Sequence, residues 1–167
     1  MDKIIKTFIA CLFLSFSFLP VQMFSQEDKA HKHDHDTYRN EIGGALGMFV
    51  DLNEESTSTG FHIHYTRMFG GKTRWLGVSP GMEFLFGDHN HYAFQVMMVF
   101  RPAFGWWIGA GPGISYFTHH EEFSLSGHVE TGYEFEAGQV HFGPVIEYSW
   151  AAEDQHMMFG LHLGVPF

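Results

Sequence analysis

Between His156 and Phe167 the chain reads HMMFGLHLGVPF, so that Met157, Phe159, Leu161, Leu163, Val165 and Phe167 alternate with His156, Met158, Gly160, His162, Gly164 and Pro166. A period of two held over this length belongs to a β-strand with two unlike faces. One face is wholly apolar. The other is too small and too polar to be the buried side of a soluble sandwich, so the apolar face is expected to look outward into lipid. A strand of about 10 residues spans a bilayer core when tilted by about 45°.

Seven further segments alternate in the same way: Glu41 to Leu52, Gly60 to Phe69, Trp75 to Phe86, Tyr92 to Arg101, Trp106 to Phe117, Phe123 to Phe135 and Val140 to Trp150. Phe49 breaks the pattern of the first, being large on the face of Gly43, Ala45, Gly47 and Asp51. Pro80 interrupts the third and predicts a bulge there. In lipid every backbone N–H and C=O needs an internal partner, so strands that cross it close on themselves. Eight strands leave a lumen only wide enough for side chains to fill, and the inward faces hold mainly Gly, Ala, Ser and Thr. Aromatic residues gather near the strand ends, Phe69, Trp75, Phe100, Phe104, Trp106 and Phe167 at one and Phe61, Phe86, Tyr92, Tyr116, Phe123 and Trp150 at the other, as the two interfaces favour. The fold class is therefore all-β, an eight-stranded antiparallel up-and-down transmembrane β-barrel over residues 41–167.

The terminal segment, with its alternation and last residue Phe167, resembles the closing strand of small bacterial outer-membrane barrels of the OmpA or OmpX type, without an appended periplasmic domain. The resemblance implies a monomer in the outer membrane of a Gram-negative-type bacterium, surrounded by outer-membrane lipid. It also implies recognition of the strand ending in Phe167 by the barrel-assembly machinery, with Pro166 a departure from the pattern. The connections sort by composition into short turns rich in Gly or Pro at 70–74, 102–105 and 137–139, read as periplasmic, and four polar segments at 53–59, 87–91, 118–122 and 151–155, read as surface loops. A soluble lipocalin-like barrel binding a small ligand is the alternative, but it would have to enclose more large apolar side chains than eight strands can hold.

Upstream, Lys3 and Lys6 precede an apolar run from Thr7 to Leu19 and a short polar exit through Ser25, the order of a secretory signal peptide over residues 1–25. Cleavage there removes Cys11, so the mature chain has no thiol chemistry. Loss of Asp2, Lys3 and Lys6 takes the 9 basic and 19 acidic residues to 7 and 18, a net charge of −11 with His neutral, which excludes a nucleic-acid partner. Residues 26–40 (QEDKAHKHDHDTYRN) have almost nothing to bury and read as a flexible periplasmic arm.

Thirteen histidines in so short a chain are the compositional anomaly. In the arm, His31, His33 and His35 interleave with Asp34 and Asp36, and imidazole with carboxylate suits Zn, Ni or Cu. His89 with His91, and His119 with His120, fall on surface loops. Counted along the strands, His62, Glu83, His128, Glu130, Glu147 and His162 fall inside the barrel near mid-height, with His64 and Gln95, while Arg101, Glu134 and His141 lie lower. Two readings stand: a hydrogen-bonded plug that keeps the barrel closed, or a site for a divalent transition metal. Small outer-membrane barrels also include lipid-modifying enzymes. Ser126, His128 and Glu130 share a face, but at about 7 Å spacing in line they are expected to lie beyond hydrogen-bond reach, so no catalytic residue is assigned.

Overall fold

The structure, a computed structural model, describes residues 39–167 apart from 55, 71–74, 88, 89, 104, 119, 120 and 153. Residues 1–38, with His31, His33, His35, Asp34 and Asp36, and His89, His119 and His120 lie outside the described residues; Arg39 and Asn40, read from the sequence as the end of the arm, are described, and Asn40 opens the first strand. Nine strand elements follow in order: β1 (Asn40–Asp51), β2 (Thr57–Phe69), β3 (Leu76–Phe86), β4 (His91–Ala103), β5 (Trp106–Phe117), β6 (Glu122–Tyr133), β7 (Phe135–Ala137), β8 (Val140–Ala151) and β9 (Gln155–Pro166). All neighbours are antiparallel. β6 and β7 form one barrel strand, because Gly132↔Val145 and Phe135↔Phe142 keep a single register against β8 across the break. The ring closes through β1, which pairs with both β2 and β9, and through β6, which pairs with both β5 and β8. The barrel has eight strands.

The alternation read from the sequence is the one observed. Leu46 and Leu161 stand opposite each other on the outside, each 68% exposed, and Ile63, Phe94, Met98, Ile108, Ile114 and Leu163 extend the apolar belt round the ring. Trp75, Trp106 and Phe167 at one rim and Phe86, Phe123 and Trp150 at the other are exposed as well. Phe49 is fully buried, so its departure from a small inner face is real: with Ala45, Leu85, Val145 and Met158 it plugs part of the lumen with apolar bulk.

Pro80 makes no bulge. His64↔Gly81 and Arg67↔Val78 keep one register on the β2 side, and Pro80 pairs with Val96 on the β4 side. Proline has no N–H to give, and that missing donor faces β2, where the pair opposite is skipped without an inserted residue. Pro112 and Pro144 follow the same rule, each pairing with one neighbour, Gly127 and Leu161 respectively. Beside these gaps the strands approach closely: a Cβ on Gly111 would overlap the Val96 carbonyl oxygen, and one on Gly143 that of Tyr133. The register shift that does occur lies between Phe100 and Ala103.

Connection length does not separate the two ends. The connections 52–56, 87–90, 118–121 and 152–154 lie at one end, here the loop end, and all are shorter than 70–75 at the opposite, terminal end. β2 starts at Thr57 and takes up residues expected to be loop. At the terminal end Asn40 and Phe167 exchange backbone hydrogen bonds of 3.1 and 2.8 Å.

Gly109 and Gly111 share the inward parity of β5 but not its crowding, since a Cβ on Gly109 would meet Met97 Sδ at an ordinary 3.5 Å. G111A is expected to destabilise the refolded barrel by about 2 kcal/mol or more, through clash with backbone that cannot move aside. G109A is expected to be neutral or stabilising by up to about 1 kcal/mol. Urea midpoints in lipid vesicles, followed by heat-modifiable gel migration, check the contrast.

Candidate functional site

The chemistry of this chain lies inside the barrel, where inward-facing positions of different strands meet. At the loop end, Glu83 of β3 reaches His91 at the start of β4, Oε1 to Nε2 at 3.1 Å, and His156 of β9, Oε1 to Nε2 at 3.4 Å. Behind them Asp154, in the 152–154 connection, accepts a 2.9 Å hydrogen bond from His156 Nδ1 and lies 3.7 Å from His91 Nδ1. Burial works against the charge of Asp154, but the His156 bond and the neighbouring imidazoles outweigh it and hold the carboxyl below the ordinary carboxylate range. Glu83, His91 and His156 are themselves buried.

One layer down, Glu147 of β8 joins two histidines: its Oε1 is 2.8 Å from His128 Nδ1 and its Oε2 3.4 Å from His62 Nδ1. Glu130 of β6 stands directly across the ladder from Glu147 and lies 3.5 Å from His62 Nε2. Two carboxylates facing each other in the low-dielectric interior repel strongly. His128 also reaches back along its own strand to Ser126, Nε2 to Oγ at 3.0 Å. This corrects the expectation that residues two apart on a strand stay out of reach: side chains lean along the strand, and the imidazole bridges the gap. The carboxylate on its other nitrogen is Glu147 from the next strand, not Glu130.

Towards the terminal end, His62 Nε2 is 3.0 Å from His64 Nδ1, and His64 Nε2 is 3.3 Å from His162 Nε2, with the rings of the second pair stacked at 5.1 Å. Below them Arg101 donates to Glu41 at 3.1 Å and to Glu134 at 3.3 Å, and His141 Nδ1 lies 3.0 Å from Glu41. A cavity of about 10 Å³ bordered by Glu130, His162, Trp107 and Arg101 separates this layer from the one above. Trp107 and Arg101 each bring to it an N–H without a partner, Glu130 brings oxygens without one, and His162 a ring nitrogen without one. That complement suits a single water molecule.

The lumenal set read from the sequence is thus brought together only in part. His62, Glu130 and Glu147 converge, as do Glu83, His128 and Glu147, each group having ligand atoms within 4.8 Å of one another. His162 belongs instead with Glu41 and His64. His156 and Asp154 were missed, and His91, read as half of a rim pair with His89, turns into the lumen instead. The alternation of β9 does place His156 inward, but His91 sits at a strand end, where loop and lumen look alike in sequence.

The chain therefore carries a largely polar interior inside an apolar outer belt, which inverts the arrangement of a soluble barrel. The fold is that of the small eight-stranded outer-membrane barrels. Neisserial surface protein A superposes with a TM-score of 0.58 at 11% identity, covering 78% of this chain and 97% of that one. The N-terminal β-barrel domain of Pseudomonas aeruginosa OprF gives 0.55 at 11% identity, with 78% and 99% covered. A de novo designed transmembrane β-barrel gives 0.53 at 10% identity, with 75% and 95% covered. No protein-family model and no curated protein matches the sequence. At these identities the likeness is one of fold.

Arg101 supplies the permanent positive charge for Glu41 and Glu134, and removing one partner of a buried ion pair is costly. R101M is expected to lower stability by about 3 to 5 kcal/mol, and E134Q by less, because Glu41 still pairs with Arg101. Denaturant titration of both variants in the same vesicles checks the order.

Proposed function

We propose that this protein is a closed, monomeric outer-membrane β-barrel of a Gram-negative-type cell envelope, inserted by the barrel-assembly machinery through β9 and Phe167, and that its lumen holds a divalent transition-metal ion, Zn, Ni or Cu. The connections at the loop end leave little surface for a receptor or adhesin, which favours a structural role in the envelope. The observation that carries the metal reading is a deficit of positive charge. Glu41, Glu83, Glu130, Glu134 and Glu147 are all buried in the lumen, and Arg101 is the one lysine or arginine among the described residues that reaches them. An ionised carboxylate left uncompensated in such surroundings costs several kcal/mol, so protons or a cation must make up the difference.

The His62, Glu130 and Glu147 group is where compensation is most lacking. His62 Nδ1, both Glu130 oxygens and Glu147 Oε2 have no hydrogen-bond partner, and a metal ion ligated by all three side chains would neutralise the opposed carboxylates. The arm, with His31, His33, His35, Asp34 and Asp36, would collect the same ions in the periplasm. Titration calorimetry of the mature chain, and of a form lacking residues 26–40, is expected to give a barrel site in both. E130Q is expected to remove that site, and binding should fall away with falling pH, because an imidazole that has taken up a proton no longer coordinates. Binding no tighter than that of a polyhistidine coil refutes the reading. In planar bilayers the filled lumen is expected to give no open state of porin size.

One observation favours a second reading, an outer-membrane lipid-modifying hydrolase: Ser126 Oγ, His128 and Glu147 stand in the relay order of nucleophile, base and orienting acid. It is the weaker reading, because Ser126 is buried and Glu147 also serves His62. It requires that a fluorophosphonate label the folded barrel and that S126A abolish the labelling.

A further inference from the structure

We infer that the loop end of the barrel carries a separate transition-metal site, formed by Glu83, His91 and His156 and oriented by Asp154. The three ligands come from three strands and turn one carboxylate oxygen and two Nε2 atoms towards one point within the wall of the lumen. An ion held at 2.0 to 2.1 Å by tetrahedral ligands spaces those ligand atoms about 3.3 Å apart. Glu83 Oε1 lies 3.1 Å from His91 Nε2 and 3.4 Å from His156 Nε2, so two edges of the cage have metal-site dimensions, and all three ligand atoms lie within 4.8 Å of one another.

His156 Nδ1 donates to Asp154 at 2.9 Å, so its Nε2 is turned to Glu83 Oε1 at 3.4 Å in a buried place, with the residues 2% and 0% exposed. Neither His156 Nε2 nor Glu83 Oε2 has a hydrogen-bond partner, which leaves both atoms free to ligate an ion. Asp154 occupies the position from which a carboxylate fixes the tautomer and ring angle of a metal-bound histidine, and it does so for His156 directly while lying close to the far nitrogen of His91. Phe49 and Phe117 pack edge-on and tilted against the two imidazoles, at 5.5 and 5.3 Å, and help to hold them in place. Two imidazoles and one carboxylate form a donor set for Zn and its neighbours in the first transition series.

This site shares no ligand with the His62, Glu130 and Glu147 group, so each stands or falls alone. Its test uses the mature full-length chain folded in detergent, in a background in which H31N, H33N and H35N silence the arm. Zn titration of that protein is expected to show a loop-end ion that H91A and H156A each abolish and that E130Q leaves intact. D154N is expected to weaken binding by about 10- to 100-fold without abolishing it, an effect that a merely structural Asp154 would not produce at unchanged stability. Co(II) in place of Zn is expected to give the intense visible bands of a four-coordinate ion and to shift the ring resonances of His91 and His156 in the unmutated barrel. That measurement decides the matter even where a variant fails to fold. Retention of the ion by both H91A and H156A, or unshifted His91 and His156 resonances in Co(II)-saturated protein, overturns the inference. Absence of any E130Q-sensitive ion from the barrel refutes the deeper site and leaves this one standing.

Discussion

Everything in this structure follows from the fate of the backbone in hydrocarbon. A peptide group that cannot reach water must reach another peptide group, and a sheet satisfies that condition only when its first and last strands meet. Once β1 pairs with β9 and β6 with β8, the outside of the ring is committed to lipid and becomes apolar. The inside is left for whatever the sequence can fit into a narrow tube. Pro80, Pro112 and Pro144 fit the same logic, each with its missing donor on a side where a ladder pair is skipped, so the register survives them.

Confinement then sets the electrostatics. A lumen of this width admits side chains and little solvent, so acids and imidazoles placed there by strand parity answer to one another instead of to water. Glu130 faces Glu147 across a ladder pair, Glu83 faces two histidines, and Glu41 and Glu134 share one guanidinium. The result is a column of polar contacts from Asp154 to His141, broken by apolar groups such as Phe49 and Met158 and by a small cavity.

Parity was fully legible in the sequence, and with it the strand count, the lipid face and the inward direction of His62, Glu83, His128, Glu130, Glu147 and His162. Relative height was not. It depends on the stagger between neighbouring strands, which no single segment encodes. For that reason His162 was grouped with Glu83 although it meets Glu41 and His64, and Glu130 was set beside His128 where Glu147 makes the contact. His91 was taken for a loop residue because β4 begins one residue earlier than its alternation announces. Pro80 looked like a bulge because a sequence does not show which of two neighbours a missing N–H will face.

The seam between β1 and β9 bears on how such a chain comes to be folded. Leu46 lies close in sequence to Phe61, its partner on one side, and far from Leu161, its partner on the other. Chain entropy makes the second closure costlier by about 2 kcal/mol, and no closed ring exists until that distant pairing forms. Hairpins such as β1 with β2 can assemble early, but each would carry bare edges and an oily face until β9 arrives. High contact order of this kind implies slow folding and a vulnerable interval beforehand, during which the polypeptide depends on being shielded from its own kind.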